Sequence, residues 1–252
     1  MKRLLQTLRS IAVITKKSCT REHIIVVLLY VLLLAGGLWH VLGLFQTAMQ
    51  FLAAPMIAAL SFLLYCDFLN TQPSNLQVKK DTEHAAFNIT RKKFSGWSLA
   101  VFVGSYLVEL LGVQSGIIFG NYYYGDTLQP MLANVPVVIG CAWLNMLLSS
   151  AAIAQKMLPP RIFAHPLGQA FAIAVLMVLF DAFMEPAAMK LGYWHWHADE
   201  IPFRNFVAWF VFGLTLAYWG ARWQIFPPRT AVLPIHAYLA QLGYFSIVNF
   251  FA

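Results

Sequence analysis

FDAFMEP, residues 180–186, places two carboxylates at the end of a long apolar run. The run begins at Phe163 and, apart from one histidine and one glutamine, stays apolar until Asp181, which predicts a membrane-spanning helix over 163–185. Residues i and i+4 share a helix face, so Asp181 and Glu185 point the same way, and we expect Pro186 to close the helix behind them. An acid at the centre of a bilayer costs about 2.5–3.5 kcal/mol, so such residues normally face the interior of a bundle. We therefore expect the rest of the chain to enclose this pair.

The composition indicates a polytopic membrane protein. The chain has 252 residues, of which 60% are hydrophobic and only 11% are charged, and soluble domains carry about twice that share of charge. The net charge is +7, but the basic residues cluster in short loops beside apolar runs. This distribution is typical of membrane orientation and not of nucleic-acid binding. Three widely separated cysteines predict neither a disulfide framework nor a thiolate metal site.

Seven apolar runs predict an all-α fold, a polytopic bundle of seven transmembrane helices. Polar or basic loops separate the runs, and the third run carries Glu109. The predicted spans are 24–45, 48–69, 95–113, 137–157, 163–185, 205–225 and 231–250, with a polar loop over 70–93. We divide the chain into a basic segment, 1–21, that is amphipathic or disordered, and a single membrane domain, 22–252.

Lysine and arginine predict the orientation of this bundle. If the amino terminus is cytoplasmic and the carboxyl terminus outside, 15 of the 17 basic residues lie on the inner side, all except Lys190 and Arg204. This orientation puts Glu109, Asp181 and Glu185 in one outer layer of the membrane, beneath two aromatic loops. We expect a multi-pass protein of a bacterial or archaeal cytoplasmic membrane.

The three membrane acids are the candidate catalytic residues. Two carboxyls on one face of an apolar helix cannot both ionise cheaply, so one of Asp181 and Glu185 should keep its proton and serve as a general acid. Alternatively, both are ordinary helix-end carboxylates that reach interfacial water. Glu109 has only aliphatic neighbours in sequence, and the alternative for it is a neutral, hydrogen-bonded structural residue.

Aromatic residues dominate the two outer loops. They are typical of an interfacial belt, and the alternative is a pocket whose ring faces stabilise a carbocation. The residues concerned are Tyr122, Tyr123, Tyr124, Trp194 and Trp196. His195 and His197 are spaced i and i+2 and the other histidines are isolated, so we predict no metal site. No nucleotide-binding motif is present, and we predict no cofactor.

Six motifs follow one another along the middle of the chain. They are Glu109, GxxxGxxFGxYxY at 112–124, Leu132, Val135 and Pro136 before Trp143, DxxxEP at 181–186, GYWHW at 192–196, and IPFRNFVAWF at 201–210. In number and order they resemble the carotenoid biosynthesis protein family, integral-membrane hydratases that act on γ-carotene and bacterioruberin precursors. The resemblance covers about 109–210. This chain departs from it at Glu185, where aspartate is common, and at Ala208, where glycine is usual.

The resemblance implies addition of water across the terminal C1=C2 bond of a linear carotenoid end group, which leaves a tertiary alcohol and needs no redox cofactor. Under this hypothesis Asp181 or Glu185 protonates C2, and Glu109 positions water or takes back its proton. The implied pocket residues are Tyr122, Tyr124, Trp143, Trp194, Trp196, Asn205 and Trp209. The implied partners are a lipophilic carotenoid, water and membrane lipid, with no nucleic acid and no indicated oligomeric state.

Three other functions compete with hydration. A carotenoid end-group cyclase begins with the same protonation but excludes water. A proton-coupled carrier or lipid transporter would need polar groups that continue toward the inner face, where spans three to five offer little beyond Ser98, Gln155, His165 and Gln169. A pigment-binding membrane protein would need no catalytic acid.

Overall fold

Helices form most of the protein in the computed structural model, which describes residues 2–71, 80–226 and 232–252, with side chains for 21–71, 91–159, 161–226 and 232–252. Among these residues the helices are α1 (Lys2–Val41), α2 (Gln46–Thr71), α3 (Lys80–Ser115), α4 (Ile139–Met157), α5 (Pro160–Phe163), α6 (Pro166–Lys190), α7 (Phe203–Arg222) and α8 (Val232–Phe251). A 3₁₀ turn covers Asp126–Leu128.

Four of the described helices are long and apolar enough to cross a membrane. They are Arg21–Val41 of α1, Gln46–Thr71, Arg91–Ser115 of α3, and Pro166–Lys190. The chain is thus a polytopic helical membrane bundle, while the count of seven spans and the orientation stay predictions. The other long helices correspond to the remaining predicted spans. Their apolar sequences contain polar residues such as Asn145, Asn205 and Gln241.

Helix α6 runs through Pro186 and ends at Lys190, so the prediction that this proline closes the helix is wrong. An internal proline removes one backbone hydrogen bond and crowds the carbonyl of residue i−4, which costs about 3 kcal/mol, but tertiary contacts hold the extra turn in place. Ala187 and Ala188 are fully buried there, and the Lys190 amine donates to the carbonyl oxygen of Asn249 in α8 at 2.9 Å. Glu185 consequently lies inside a packed helix and not at an end that faces water.

The polar segments at the membrane edges contain more helix than the sequence predicts. Helix α3 begins at Lys80, inside the predicted loop over 70–93. Lysine, arginine and glutamate have high helix propensities, so a helix that is anchored in the membrane continues readily through charged residues into water. The backbone of 2–20 continues α1. Because the side chains of that segment lie outside the described residues, its amphipathic character stays a prediction.

Helix α4 forms the centre of the bundle. Of its 19 residues 14 are buried, and it packs against α2, α3, α6 and α8. Small residues at Ser149–Ala152 and Ala154 let these helices approach closely. Helix α6 packs along α7, and α1 lies at the periphery against α8. Helix α4 therefore packs against both helices that carry the acids, α3 and α6.

The two aromatic loops meet as an antiparallel ribbon of strands β1 (Tyr122–Tyr124) and β4 (Trp194–Trp196). In this register Tyr122 is opposite Trp196, and Tyr124 is opposite Trp194. Successive side chains of a strand point to opposite faces, so these four rings share the face that packs on the bundle. Tyr123 on the other face is 51% exposed and contacts His195 with ring centroids 5.4 Å apart. A second, smaller ribbon pairs β2 (Met131–Leu132) with β3 (Val135–Pro136).

Candidate active site

A cavity of about 80 Å³ lies beneath the aromatic ribbon. Glu109 from α3 and Glu185 from α6 both line it. Most of the remaining wall is apolar or aromatic, including Phe119, Leu128, Met146, Phe180, Met184 and Phe245. Two carboxyl groups from different helices thus face one apolar space. The sequence predicted only their common depth and not that their helices share a cavity.

Glu109 is held by three hydrogen-bond donors. Its Oε2 atom accepts from the hydroxyl of Tyr122 at 2.5 Å and of Tyr124 at 3.0 Å. Its Oε1 atom accepts from the indole Nε1 of Trp143 at 3.0 Å. Donors to both oxygens stabilise a negative charge on this carboxyl and fix its orientation. The side chain is only 5% exposed, so bulk water contributes little to that stabilisation.

The two tyrosines remain donors over the whole physiological pH range. Burial, followed by the negative field of Glu109, raises the pKa of Tyr122 and of Tyr124 well above the usual value for tyrosine. Neither hydroxyl ionises beside this carboxyl group. The ribbon therefore presents two fixed O–H groups to Glu109.

Glu185 is held in the same manner by the opposite strand. Its Oε2 atom accepts from the indole nitrogens of Trp194 and Trp196, each at 2.9 Å. Its Oε1 atom accepts from Nδ2 of Asn205 at 3.0 Å, and the same nitrogen donates to Oδ2 of Asp181 at 2.9 Å. Because one amide bonds both acids, Asp181 and Glu185 lie on one face of α6, as their spacing predicted.

The two acids of α6 differ in their access to the cavity. Both are buried, Asp181 at 0% and Glu185 at 2% exposure, so the alternative that they reach interfacial water is wrong. Among the described residues only Glu185 of the pair lines the cavity. Asp181 does not border the cavity, and its Oδ1 atom has no hydrogen-bond partner in the described part of the chain. Glu185 is thus the acid of α6 that a molecule in the cavity can touch.

The ribbon links the two acids. Strand β1 supplies the hydroxyl donors to Glu109, and β4 supplies the indole donors to Glu185. Their rings pack across the strands, with the centroids of Tyr122 and Trp196 5.0 Å apart. Alternation along each strand, Tyr-x-Tyr and Trp-x-Trp, places all four donors on one face. The spacing of these aromatic motifs therefore positions two acids at once.

Two further tryptophans from the predicted set lie in the wall of the cavity. Trp143 of α4 and Trp209 of α7 stack with ring centroids 4.1 Å apart and planes 11° from parallel. Every predicted pocket residue lines the cavity, namely Tyr122, Tyr124, Trp143, Trp194, Trp196, Asn205 and Trp209. Their roles toward a substrate remain predictions.

Sequence reasoning missed a second polar group in the same wall. Asn145 of α4 and Gln241 of α8 line the cavity and bond to each other. The only signal in the sequence is an amide residue in the middle of each apolar helix. The bridging role of Asn205 was also missed, because it depends on how α7 packs against α6.

Replacing Asn205 by alanine is expected to lower the free energy of unfolding by about 1–3 kcal/mol, because two buried carboxyls lose their shared donor. Thermal unfolding of the purified protein in detergent measures this change. Thr215→Ala, on the exposed part of α7, removes only a hydroxyl that bonds its own helix, and we expect a change within about 0.5 kcal/mol. Equal stability of both variants would show that Asn205 does not hold the acids.

Comparison with known proteins gives two related matches. A family model described as "Carotenoid biosynthesis protein" matches residues 82–252, which include every residue that lines the cavity except Ile57 of α2. A curated protein named bisanhydrobacterioruberin hydratase, from Haloarcula japonica, is 27% identical over 119 residues. This alignment covers 46% of the chain and 40% of the relative, so the chain spans well under half of that protein's length. No solved structure matches the chain significantly.

Proposed function

Because this chain belongs to the carotenoid biosynthesis protein family, we propose that it is an enzyme that adds water to a linear carotenoid. The bond attacked is the terminal C1=C2 double bond, and the product is a tertiary alcohol. One observation carries the proposal: two separately held carboxyl groups, Glu109 and Glu185, face one aromatic cavity. The relative from Haloarcula japonica, whose name is that of a hydratase, supports the same reaction class.

The reaction starts with a proton on the pair of Asp181 and Glu185. Two carboxyls that share one amide nitrogen of Asn205 in a buried site repel each other when both are ionised. The pair therefore carries a proton. Glu185 lines the cavity and delivers that proton to C2, so the positive charge develops at C1. Asp181 stays behind as the group that keeps Glu185 protonated.

The aromatic wall and Glu109 complete the reaction. The ring faces around the cavity stabilise the tertiary cation at C1. The oxygen of water bonds to C1, and the proton that this water loses passes to the Glu109 carboxylate. The number of protons is conserved, because one enters at C2 and one leaves from water. No electron transfer is required.

Expression of the chain in a host that accumulates lycopene or γ-carotene tests this function. We expect a new, more polar pigment whose mass has increased by one water for each reacted end, measured by liquid chromatography with mass spectrometry. A cyclase would give a product of unchanged mass, and a transporter or pigment-binding protein would give no new pigment. Unchanged pigments in the presence of the accumulated protein would remove the proposal for these substrates.

A further inference from the structure

The cavity contains a second polar group besides the acids, the amide pair of Asn145 and Gln241. Nδ2 of Asn145 in α4 donates to Oε1 of Gln241 in α8 at 3.1 Å. Both side chains line the same cavity as Glu109 and Glu185. The mechanism derived above uses neither of them.

The amide pair is fixed in place and neutral. The Ser149 hydroxyl donates to Oδ1 of Asn145 at 3.3 Å, and Nε2 of Gln241 donates to the carbonyl oxygen of Ala237 at 2.9 Å. A side-chain amide has two N–H groups and two acceptor lone pairs. Within the described residues each of these amides gives one N–H to a hydrogen bond, so the pair keeps both donor and acceptor capacity beside the cavity.

These properties match the requirements of a site for one water molecule. A buried water needs about 10–15 Å³ and two to four polar partners, and the cavity measures about 80 Å³. When a water molecule donates one hydrogen to an amide oxygen of the pair and the other to the Glu109 carboxyl, which lines the same cavity, a lone pair of its own oxygen remains for attack on C1. A neutral amide is too weak a base to take the proton that Glu185 must deliver to C2. The acids and the amide pair thus have separate tasks in one space.

We propose that Asn145 and Gln241 hold the water molecule that attacks C1. This inference rests on the proposed function of the cavity. It adds that the bound water decides whether the cation at C1 becomes an alcohol or reverts to an alkene. With water in place, the oxygen bonds to C1, a proton passes to Glu109, and the alcohol forms. Without it, a C–H bond next to C1 breaks, the proton returns to a carboxyl, and an alkene forms again.

The double variant Asn145→Leu/Gln241→Met tests this role, because it removes both partners and leaves neither amide unpaired. Membranes that contain the full chain are incubated with lycopene in heavy water. We expect the share of alcohol to fall by about tenfold or more, as for loss of a hydrogen-bonded partner. We also expect deuterium in the recovered polyene, because protonation continues and its reversal exchanges hydrogen. If the amide pair were only structural, its replacement would not lead to deuterium in the recovered polyene.

Ser246→Ala is the matched control, since it removes a polar group of α8 that bonds the carbonyl oxygen of Leu242 in its own helix and does not line the cavity. We expect its alcohol share to equal that of the unmodified chain. If the double variant keeps that share, or folds but neither hydrates nor exchanges, the inference is overturned. If it does not accumulate, Gln241→Met alone is measured under the same criteria. Absence of alcohol with the unmodified chain would instead overturn the proposed function.

Discussion

Replacing Glu185 by glutamine is expected to lower the rate of alcohol formation by about 10²–10⁴-fold, the usual contribution of a general acid. Glutamine keeps the size of the side chain and an oxygen for the indole donors of Trp194 and Trp196. Asn205 can turn its amide, so that its oxygen accepts from the new NH₂ group and from Asp181, which then carries the proton of the pair. The variant should therefore fold normally and lose only the proton that C2 receives. Initial rates in membranes, normalised to the amount of protein, measure the effect.

Two comparisons make this result specific. Glu200→Gln makes the same chemical change at an exposed residue in the loop after β4, and we expect its activity to be unchanged. Asp181→Asn should lose less activity than Glu185→Gln, because Asp181 does not line the cavity in the described structure. If Asp181→Asn is inactive while Glu185→Gln retains most activity, the proton comes from Asp181 and the assignment is wrong.

The sequence predicted the fold wherever one local pattern decides the outcome. Long apolar runs predicted membrane helices, and the i, i+4 spacing of Asp181 and Glu185 predicted their common face. The prediction failed at Pro186, because the packing of α6 on α7 and α8 outweighs the lost backbone hydrogen bond and the steric clash of an internal proline. It also missed β1 and β4. Each strand has three residues, and their pairing joins parts of the chain about seventy residues apart.

The site was predictable by residue type but not by contact. Depth alone placed Glu109 and the α6 acids in one layer, and the aromatic motifs above them were identified as pocket residues. Which α6 acid faces the cavity was not predictable, because both lie on the same helix face. The Asn145–Gln241 pair joins residues 96 positions apart. Only the packing of α4 against α8 brings those two amides together.

Replacing Glu109 by glutamine is expected to lower alcohol formation by about 10²–10⁴-fold, the usual contribution of a general base. An amide cannot take the proton that water loses. The cost in stability should be only about 1 kcal/mol. The indole N–H of Trp143 can still donate to the remaining oxygen, while the hydroxyls of Tyr122 and Tyr124 can rotate and accept from the new NH₂ group. Activity and thermal unfolding in detergent are measured on the same preparations.

This separation of activity from stability distinguishes a base from a structural residue. Ser105→Ala is the control on α3, because Ser105 is buried one turn before Glu109 and bonds only the carbonyl oxygen of Phe102 in its own helix. We expect it to leave activity unchanged. If Glu109→Gln loses several kcal/mol of stability while the surviving protein stays active, Glu109 is a structural residue. Water would then lose its proton to another group, and the three donors around Glu109 would serve to hold the ribbon on the bundle.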